Sequence, residues 1–338
     1  MSATGKVLNV EGLRVSFQTE AGLVKAVDDV SFSLDRGEVL AIVGESGSGK
    51  SVTAMTLMGL TRGVNARIEG AAQLDGKELI SASDEELRVI RGAELAMIFQ
   101  DPMSSLNPVY KVGDQIAEMI LAHRDIAKQE AGAQAVELME SVGIPGAAER
   151  ADNYPHEFSG GMRQRVMIAM ALSLEPQVLI ADEPTTALDV TIQAQILRLI
   201  ADLNNKHDVA TILITHDLGV VAEIADRVVV MYGGRIVESG TLEQIFYEPQ
   251  HPYTWGLLGS VTRMDRPRTD RLTQIKGQPP SLLAPPEGCH FRPRCPYAFD
   301  KCTQKPSLEA RGGDPSHLDR CWLPAERKAA ARAPEAAA

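Results

Sequence analysis

Short apolar runs recur along the chain and predict the strands of a sheet. Five runs rich in aliphatic residues lie at 38–43, 95–99, 177–182, 210–215 and 228–232. Runs of about five residues, bounded by glycine or polar residues, fit buried strands better than helices. Because these runs lack polar alternation, the predicted sheet should be covered by helices.

Helical periodicity separates several of these runs. It marks the segments Gly113–His123, Lys128–Val142, Gly160–Leu174 and Ile192–Asn204. The first three lie together and predict a helical subdomain over about 103–174. Strands that alternate with helices argue for a parallel sheet. The predicted fold class is therefore α/β, with a parallel-sheet core and a helical insert.

A different strand pattern occurs near the N-terminus. Residues 6–17 and 24–34 alternate polar and apolar positions around a polar link, which predicts an antiparallel hairpin. A further strand pair is predicted at 68–80, so an antiparallel β subdomain accompanies the α/β core. Gly233 and Gly234 predict a turn that closes another hairpin.

A glycine-rich loop, GESGSGKS, follows the first apolar run and leads directly into a predicted helix. Its glycines let backbone N–H groups turn toward phosphate oxygens, Lys50 can reach the β- and γ-phosphates, and Ser51 can offer a hydroxyl to Mg²⁺. The positive end of the helix also faces the phosphates. A chance glycine-rich turn is disfavoured, because strand and helix supply the context that the motif needs. The predicted nucleotide-binding residues are Gly44, Glu45, Ser46, Gly47, Ser48, Gly49, Lys50, Ser51 and Val52.

Two adjacent carboxylates end the strand at 177–182. We expect Asp182 to hold Mg²⁺, directly or through water. Glu183 should point the other way in an extended chain and reach the attacking water. Neighbouring acids at a strand end also occur as plain surface residues. The phosphate loop upstream and Pro184–Asp189 downstream favour the catalytic interpretation.

A serine and two glycines open the predicted helix at 160–174. Ser159 can cap the helix N-terminus, and Gly160 and Gly161 let a phosphate approach the backbone. The alternative is an ordinary serine cap, and the following Met162–Arg165 argues against it.

In this order, the phosphate loop, the Ser-Gly-Gly segment and the carboxylate pair resemble the ATP-binding-cassette (ABC) ATPase family over about 6–258. The resemblance implies that Glu183 polarises the water that attacks the γ-phosphate. It also implies that Ser159–Gly161 is presented to ATP held by a second cassette, and that Asp189 lies in a loop contacting that partner. One chain would then hold two half-sites and no complete site.

Three isolated side chains gain a role only from this resemblance. Gln100 resembles the family's glutamine loop, which senses Mg²⁺ and water and couples to membrane subunits. His216 resembles the switch histidine that contacts the γ-phosphate. Phe17 is similar in position to an aromatic residue that stacks on adenine, but it fits the core of the hairpin equally well.

Length and charge narrow the class of protein. The 338 residues allow two domains, or one large domain with an appendage. No apolar run approaches the roughly 18 residues needed to span a bilayer, and the start lacks a signal region, so we expect a soluble cytosolic chain. Net charge is −16 over residues 1–260 and +5 over 261–338. The acidic main body argues against nucleic acid as a partner and is most simply explained by solubility.

Three segments resemble one branch of the family, the dipeptide, oligopeptide and nickel importers. They are Gln100–Pro108, His251–Leu258 and Gly288–Pro296. The branch implies two integral membrane permease subunits, a second cassette subunit that is identical or homologous, and, indirectly, an extracytoplasmic solute-binding protein. It implies peripheral attachment to the cytoplasmic face of the bacterial inner membrane.

Domain boundaries follow from these resemblances and from composition. We expect a nucleotide-binding domain over 1–258 and an extension over 259–328. The Ala/Pro-rich segment 329–338 is predicted to be disordered.

All cysteines lie in the extension, at Cys289, Cys295, Cys302 and Cys321. Disulfides are disfavoured in the cytosol, so a metal site is favoured over a pair of disulfides. The cysteines fall within a 33-residue span of a Pro-rich segment with little apolar patterning, so we expect one metal centre with a structural task, distant from ATP. The gaps of five, six and eighteen residues are wider than those of zinc knuckles. An iron–sulfur cluster, a structural zinc and reduced thiols all remain open. Some importers of this branch carry a [4Fe–4S] cluster here, so the resemblance favours the cluster.

The function predicted from the sequence is ATP hydrolysis that powers import of peptides or related small solutes. The alternative is a soluble ABC ATPase acting on nucleic acid or ribosomes, which the acidic charge and the His251–Leu258 segment disfavour. A simple phosphate-loop kinase would have no use for Ser159–Gly161. The transported solute leaves no signature in this chain.

Overall fold

The computed structural model describes residues 5–101, 105–186, 189–260, 275–310 and 313–336. The described residues form two compact units. The first unit comprises Met1–Leu8, Ser33–Val39 and Gln73–Ile214, and the second comprises Asn9–Phe32, Leu40–Ala72 and Thr215–Ala338.

The elements predicted from the sequence occur in the predicted order with small changes at their ends, and further short elements lie between them. The strands are β1 (Lys6–Thr19), β2 (Gly22–Asp35), β3 (Val39–Val43), β4 (Ala66–Leu74), β5 (Lys77–Glu78), β6 (Leu95–Ile98), β7 (Val178–Asp182), β8 (Ala210–Thr215), β9 (Arg227–Tyr232), β10 (Arg235–Thr241) and β11 (Leu318–Asp319). The helices are α1 (Lys50–Leu57), α2 (Asp84–Ile90), α3 (Val112–Leu121), α4 (Lys128–Ser141), α5 (Ala147–Arg150), α6 (Gly160–Leu172), α7 (Val190–His207), α8 (Leu218–Ile224), α9 (Leu242–Tyr247), α10 (Pro252–Gly259) and α11 (Ala325–Ala336).

The first unit is built on a parallel sheet in which β7 lies between β6 and β8. Every residue of these three strands is buried, as expected of parallel strands covered on both faces. The register pairs Ile180 with Met97 on one side and with Ile212 on the other. The predicted α/β core is confirmed.

The predicted helical insert also lies in the first unit. Helix α3 packs against α4, and α6 packs against both of them and against β6. Helix α6 also contacts α7, where a Cβ atom added to Gly161 would lie 2.8 Å from Ile192 Cγ2. Gly161 therefore permits the close approach of the two helices.

The second unit contains a mixed sheet in the order β3-β9-β10-β11. Strand β3 runs parallel to β9, and β9 and β10 form the predicted hairpin through Gly233 and Gly234. Strand β11 comes from the C-terminal extension and pairs with β10, with Glu238 opposite Asp319. In the antiparallel sheet near the N-terminus, β1 lies between β2 and β4.

The C-terminal segment differs from the prediction. Helix α11 covers Ala325–Ala336, so disorder from residue 329 onward is wrong for the described part of this segment. Several contacts hold the helix, including a hydrogen bond from Arg332 to the Pro249 carbonyl oxygen at 3.2 Å. The Lys328 ammonium is buried and lies 2.8 Å from the Asp319 carboxylate, and Ala331 packs against the cluster of Trp255, Cys321 and Leu323. The alanines of this segment favour a helix, because alanine has the highest helix propensity. The prediction of disorder was wrong because composition does not reveal these anchoring contacts.

No helix within the described ranges is long and apolar enough to cross a bilayer.

Candidate functional site

The phosphate loop connects buried strand β3 to helix α1, whose first residue is Lys50. Gly44, Gly47 and Gly49 have φ values of +152°, +75° and +102°, which L side chains rarely adopt. An added Cβ at Gly44 would overlap the carbonyl oxygen of Met231, and one at Gly49 would lie 2.5 Å from that of Ala26. The loop is therefore a cradle that side chains would fill.

The loop contains polar groups that can donate hydrogen bonds to an anion. The buried Lys50 ammonium donates to the carbonyl oxygens of Gly44 (2.8 Å) and Glu45 (3.1 Å). The Ser48 hydroxyl is buried and has no hydrogen-bond partner among the described residues. Around Gly47, nothing lies within 4 Å of an added Cβ, so this side of the loop is open. The loop fits the triphosphate predicted from the sequence.

The carboxylate pair lies at the end of β7. Asp182 is buried as the last residue of the strand, paired in register with Ile214. Glu183 differs from the predicted extended conformation, because its φ is +46°. Its backbone N–H donates to the Ile214 carbonyl oxygen at 2.8 Å, which holds this uncommon conformation.

The structure brings Gln100 and Glu183 together. The Gln100 amide Nε2 donates to Glu183 Oε2 at 2.8 Å, and the Thr186 hydroxyl donates to the same oxygen at 2.9 Å. Two predicted site residues that are 83 positions apart therefore share one hydrogen bond. The two donors orient the carboxylate.

Ser159 and Asp189 both act as helix N-caps in the first unit. The Ser159 hydroxyl accepts from the Met162 N–H at 3.4 Å, and α6 begins at Gly160 as predicted. The Asp189 carboxylate accepts from the Ile192 N–H at 3.0 Å and caps α7. Their roles toward a second cassette stay predictions.

His216 and Phe17 lie in the second unit. His216 is exposed and follows β8 directly, next to Asp217, which caps α8. Phe17 is half-buried in β1. Adenine stacking by Phe17 stays a prediction.

The four cysteines line one cavity together with aromatic residues of the extension and with His251 and Pro252 at the start of α10. None of them forms a disulfide. Burial raises the pKa of Cys289, and it raises the pKa of Cys295 and Cys321 to about 12, so these free thiols stay protonated at neutral pH. Within the described residues, no three His, Cys, Asp or Glu side chains are grouped closely enough to hold a metal ion. Four cysteine sulfurs are suitable ligands for a thiolate centre. Binding of a metal would require these sulfur atoms to move closer together.

The extension contacts the phosphate loop through Arg294, and the expected distance between a metal centre and ATP stays a prediction. Arg294 precedes Cys295 and forms an ion pair with Glu45 of the phosphate loop, with Nη1 to Oε2 at 2.6 Å. The sequence marked Glu45 as a loop residue but offered no partner for it. In the sequence, the only signal for this contact is that Arg294 is a basic residue next to Cys295.

The His-Pro-Tyr segment has a physical explanation within the second unit. His251 caps α10 by accepting from the Tyr253 N–H at 3.1 Å, and Pro252 occupies the first helical position, where no N–H is needed. Burial lowers the pKa of His251 to about 3, so the neutral ring can accept. The Tyr253 hydroxyl accepts from the Glu45 backbone N–H at 2.9 Å.

A buried carboxylate that sequence reasoning missed holds this segment in place. Glu238 of β10 is fully buried and accepts from the backbone N–H groups of Gln250 (2.5 Å) and His251 (2.8 Å) and from the Thr254 hydroxyl (2.6 Å). His317 Nε2 lies 2.8 Å from Glu238 Oε1, the same oxygen that accepts from the Gln250 N–H. Nothing in the sequence distinguishes Glu238 from an exposed strand residue.

Comparisons with known proteins agree with this geometry. Residues 27–186 match the ABC transporter family, and residues 237–302 match the oligopeptide/dipeptide transporter C-terminal region. The dipeptide transport ATP-binding protein DppD of Bacillus subtilis is 54% identical over 95% of this chain and 96% of its own length. The chain belongs to the ABC transporter family.

Further similarities support this assignment of the cassette. The oligopeptide transport ATP-binding protein OppD of Salmonella typhimurium is 52% identical over 95% of this chain and 94% of its own. Among solved structures, the dimeric ATP-binding cassette MJ0796 bound to ADP and Pi superposes with a TM-score of 0.63 and 26% identity, covering 70% of this chain and 98% of that one. The family resemblance and the ABC-type fold predicted from the sequence are confirmed.

Proposed function

We propose that this chain is the ATP-hydrolysing subunit of a membrane transporter that imports peptides or related small solutes. The observation that carries the proposal is the pairing of a phosphate-binding cassette with a C-terminal region that matches oligopeptide/dipeptide transporters. Relatives that are 52–54% identical over nearly the whole chain are named as dipeptide and oligopeptide transport proteins. The acidic main body disfavours the alternative of a nucleic-acid or ribosome ATPase.

The residues have distinct roles in the proposed hydrolysis. The loop Gly44–Ser51 binds the phosphates, with the Lys50 ammonium on the β- and γ-phosphates. Ser51, Gln100 and Asp182 are the side chains that would hold Mg²⁺, which neutralises developing charge. Glu183, oriented by its hydrogen bond from Gln100, accepts a proton from the attacking water.

Further residues of this chain act on nucleotide in this proposal, some at its own phosphate loop and some at the phosphate loop of a second cassette. His216 contacts the γ-phosphate, and Phe17 stacks on adenine. Ser159, Gly160, Gly161 and Asp189 serve the ATP held by a second, identical or homologous cassette, since a helix N-terminus with glycines accepts phosphate closely. Closure of the two cassettes moves two membrane permease subunits through the glutamine-loop surface. The chain would thus be a peripheral protein at the cytoplasmic face of the bacterial inner membrane.

We further propose that Cys289, Cys295, Cys302 and Cys321 hold a [4Fe–4S] cluster. Four thiols that form no disulfide and line a single cavity support a thiolate centre. Pro296 after Cys295 is a pairing found in ferredoxin-type cluster loops, whereas the gaps are wide for a zinc knuckle. Metal binding must displace protons from thiols whose pKa is raised by burial, and it supplies folding free energy to a segment with few regular elements.

The transport assignment can be tested by coexpression with candidate membrane permease subunits from the same organism. We expect the tagged chain to copurify from detergent-solubilised membranes with two permease subunits and a second cassette. A Gly161→Ala variant, crowded against Ile192, tests whether assembly depends on the Ser159–Gly161 segment. Copurification with ribosomes or nucleic acid, and with no membrane subunit, would instead support the alternative function.

A further inference from the structure

Glu45, the second residue of the phosphate loop, is held by two residues from outside the loop. Its carboxylate receives both terminal nitrogens of Arg294, with Nη1 to Oε2 at 2.6 Å and Nη2 to Oε1 at 3.1 Å. Its backbone N–H donates to the Tyr253 hydroxyl. Its carbonyl oxygen accepts from the Lys50 ammonium. The residue that shares a hydrogen bond with the phosphate-binding lysine is thus fixed from the C-terminal part of the chain.

The Arg294 guanidinium donates hydrogen bonds from all three of its nitrogen atoms at this position. Besides the carboxylate, its Nη1 donates to the Tyr232 hydroxyl at 3.3 Å and its Nη2 to the Ile275 carbonyl oxygen at 3.1 Å. Its Nε donates to the Lys276 carbonyl oxygen at 3.0 Å. A guanidinium has five N–H groups, and five acceptors surround this one. The side chain is only 5% exposed, so this is a built site rather than a surface ion pair.

The turn that carries Arg294 is itself anchored by packing. Phe291 is buried, and its ring packs edge-on against Tyr232 at a centroid distance of 5.1 Å and in a tilted arrangement against Tyr253 at 5.4 Å. The Tyr253 hydroxyl in turn accepts a hydrogen bond from the backbone N–H of Glu45. One aromatic cluster therefore positions both groups that hold the loop residue.

We propose that Arg294 is a positioning residue for the nucleotide site: it holds Glu45, and through Glu45 the phosphate loop, ready to bind ATP. Two effects contribute. The planar fork of the guanidinium fixes the side chain of Glu45 through two parallel hydrogen bonds. It also neutralises a carboxylate that would otherwise stand unpaired beside an anionic triphosphate. The inference rests on the proposed function, because it assumes that the loop binds ATP.

The test is nucleotide affinity in the full-length chain, followed by steady-state ATP hydrolysis in the assembled transporter. For Arg294→Met we expect the dissociation constant of a fluorescent ATP analogue and the KM for ATP to rise about tenfold, the size typical of losing a charge-assisted hydrogen bond. The kcat at saturating ATP should change much less, since Gln100 and Glu183 are untouched. Arg294→Lys should restore only part of the affinity, because an ammonium keeps the charge but lacks the fork.

A double variant separates positioning from simple loss of structure. In Arg294→Met/Glu45→Gln the unpaired charge is gone, so we expect affinity to recover part of the loss seen in Arg294→Met. The matched control is Arg320→Met. Arg320 is an equally buried arginine of the extension that pairs with Asp29 instead of the loop. The Arg320→Met variant should have a lower melting temperature, with no rise in the KM for ATP beyond any change in kcat.

Three outcomes decide between the possibilities. An unchanged KM in Arg294→Met, or equal effects of Arg294→Met and Arg320→Met on KM and kcat, would overturn the proposal. A rise in KM that the double variant partly reverses would support it. Lys50→Ala is the reference for the proposed function itself, because unaltered nucleotide binding in that variant would refute ATP binding by the loop, whatever Arg294 does.

Discussion

Glu183→Gln should bind ATP with nearly unchanged affinity and lose hydrolysis. Glutamine keeps the size of the side chain and an acceptor oxygen for Gln100 and Thr186, but it cannot take a proton from water. Positioned general bases typically contribute about 10²- to 10⁴-fold to a rate, so kcat should fall by that range. The assembled complex should also remain in the closed, ATP-bound state. The measurement is phosphate release at saturating ATP, with nucleotide occupancy determined in parallel.

Lys50→Ala is the contrasting variant for this prediction. It removes the ammonium that belongs to the binding loop, so nucleotide affinity itself should fall. A charge-assisted hydrogen bond is worth about 1.5–3 kcal/mol, which corresponds to roughly ten- to a hundredfold in affinity. Hydrolysis by Glu183→Gln at the wild-type rate in the assembled complex would show that another group activates the water.

Removal of any one cysteine should abolish metal binding by the extension. Protein purified without oxygen should be brown, with broad absorbance near about 400 nm and four irons and four sulfides per chain. Cys289→Ser, Cys295→Ser, Cys302→Ser and Cys321→Ser should each lose the colour and the iron. Because the metal contributes to folding of this segment, we expect the extension of each variant to become more sensitive to protease.

Thr303→Ala provides the matched control for these variants. Thr303 follows Cys302, is exposed, and donates its hydroxyl to the Asp300 carbonyl oxygen, so its loss changes the same turn without removing a thiol. Iron content should stay at the wild-type value. Colourless wild-type protein with one bound zinc would replace the cluster by a zinc site. Metal-free wild-type protein with a protease-resistant extension would refute a metal centre.

Much of the cassette could be predicted because its signals are local in sequence. Buried strands such as β7 follow from runs of apolar residues, and the phosphate loop follows from glycines whose positive φ values the structure contains. The start of α6 at Gly160 follows from the capping preference of Ser159. In each case a few neighbouring residues determine the conformation.

The contacts that could not be predicted join distant positions. Arg294 and Glu45 are 249 residues apart, and no periodicity or propensity links them. The buried pair of Lys328 and Asp319 turns an alanine-rich end into an anchored helix, which composition alone assigned to disorder. The left-handed conformation of Glu183 similarly depends on its N–H contact with Ile214 of the neighbouring strand.

The central claim is that ATP hydrolysis by this chain is coupled to import of a peptide-like solute. The most direct measurement is ATP hydrolysis in proteoliposomes that contain this chain, its partner cassette and both membrane subunits. Hydrolysis should be stimulated by the cognate extracytoplasmic binding protein loaded with peptide, and Glu183→Gln should remove the stimulation. Hydrolysis that does not respond to any peptide-loaded binding protein, but is stimulated by ribosomes or nucleic acid, would contradict the account.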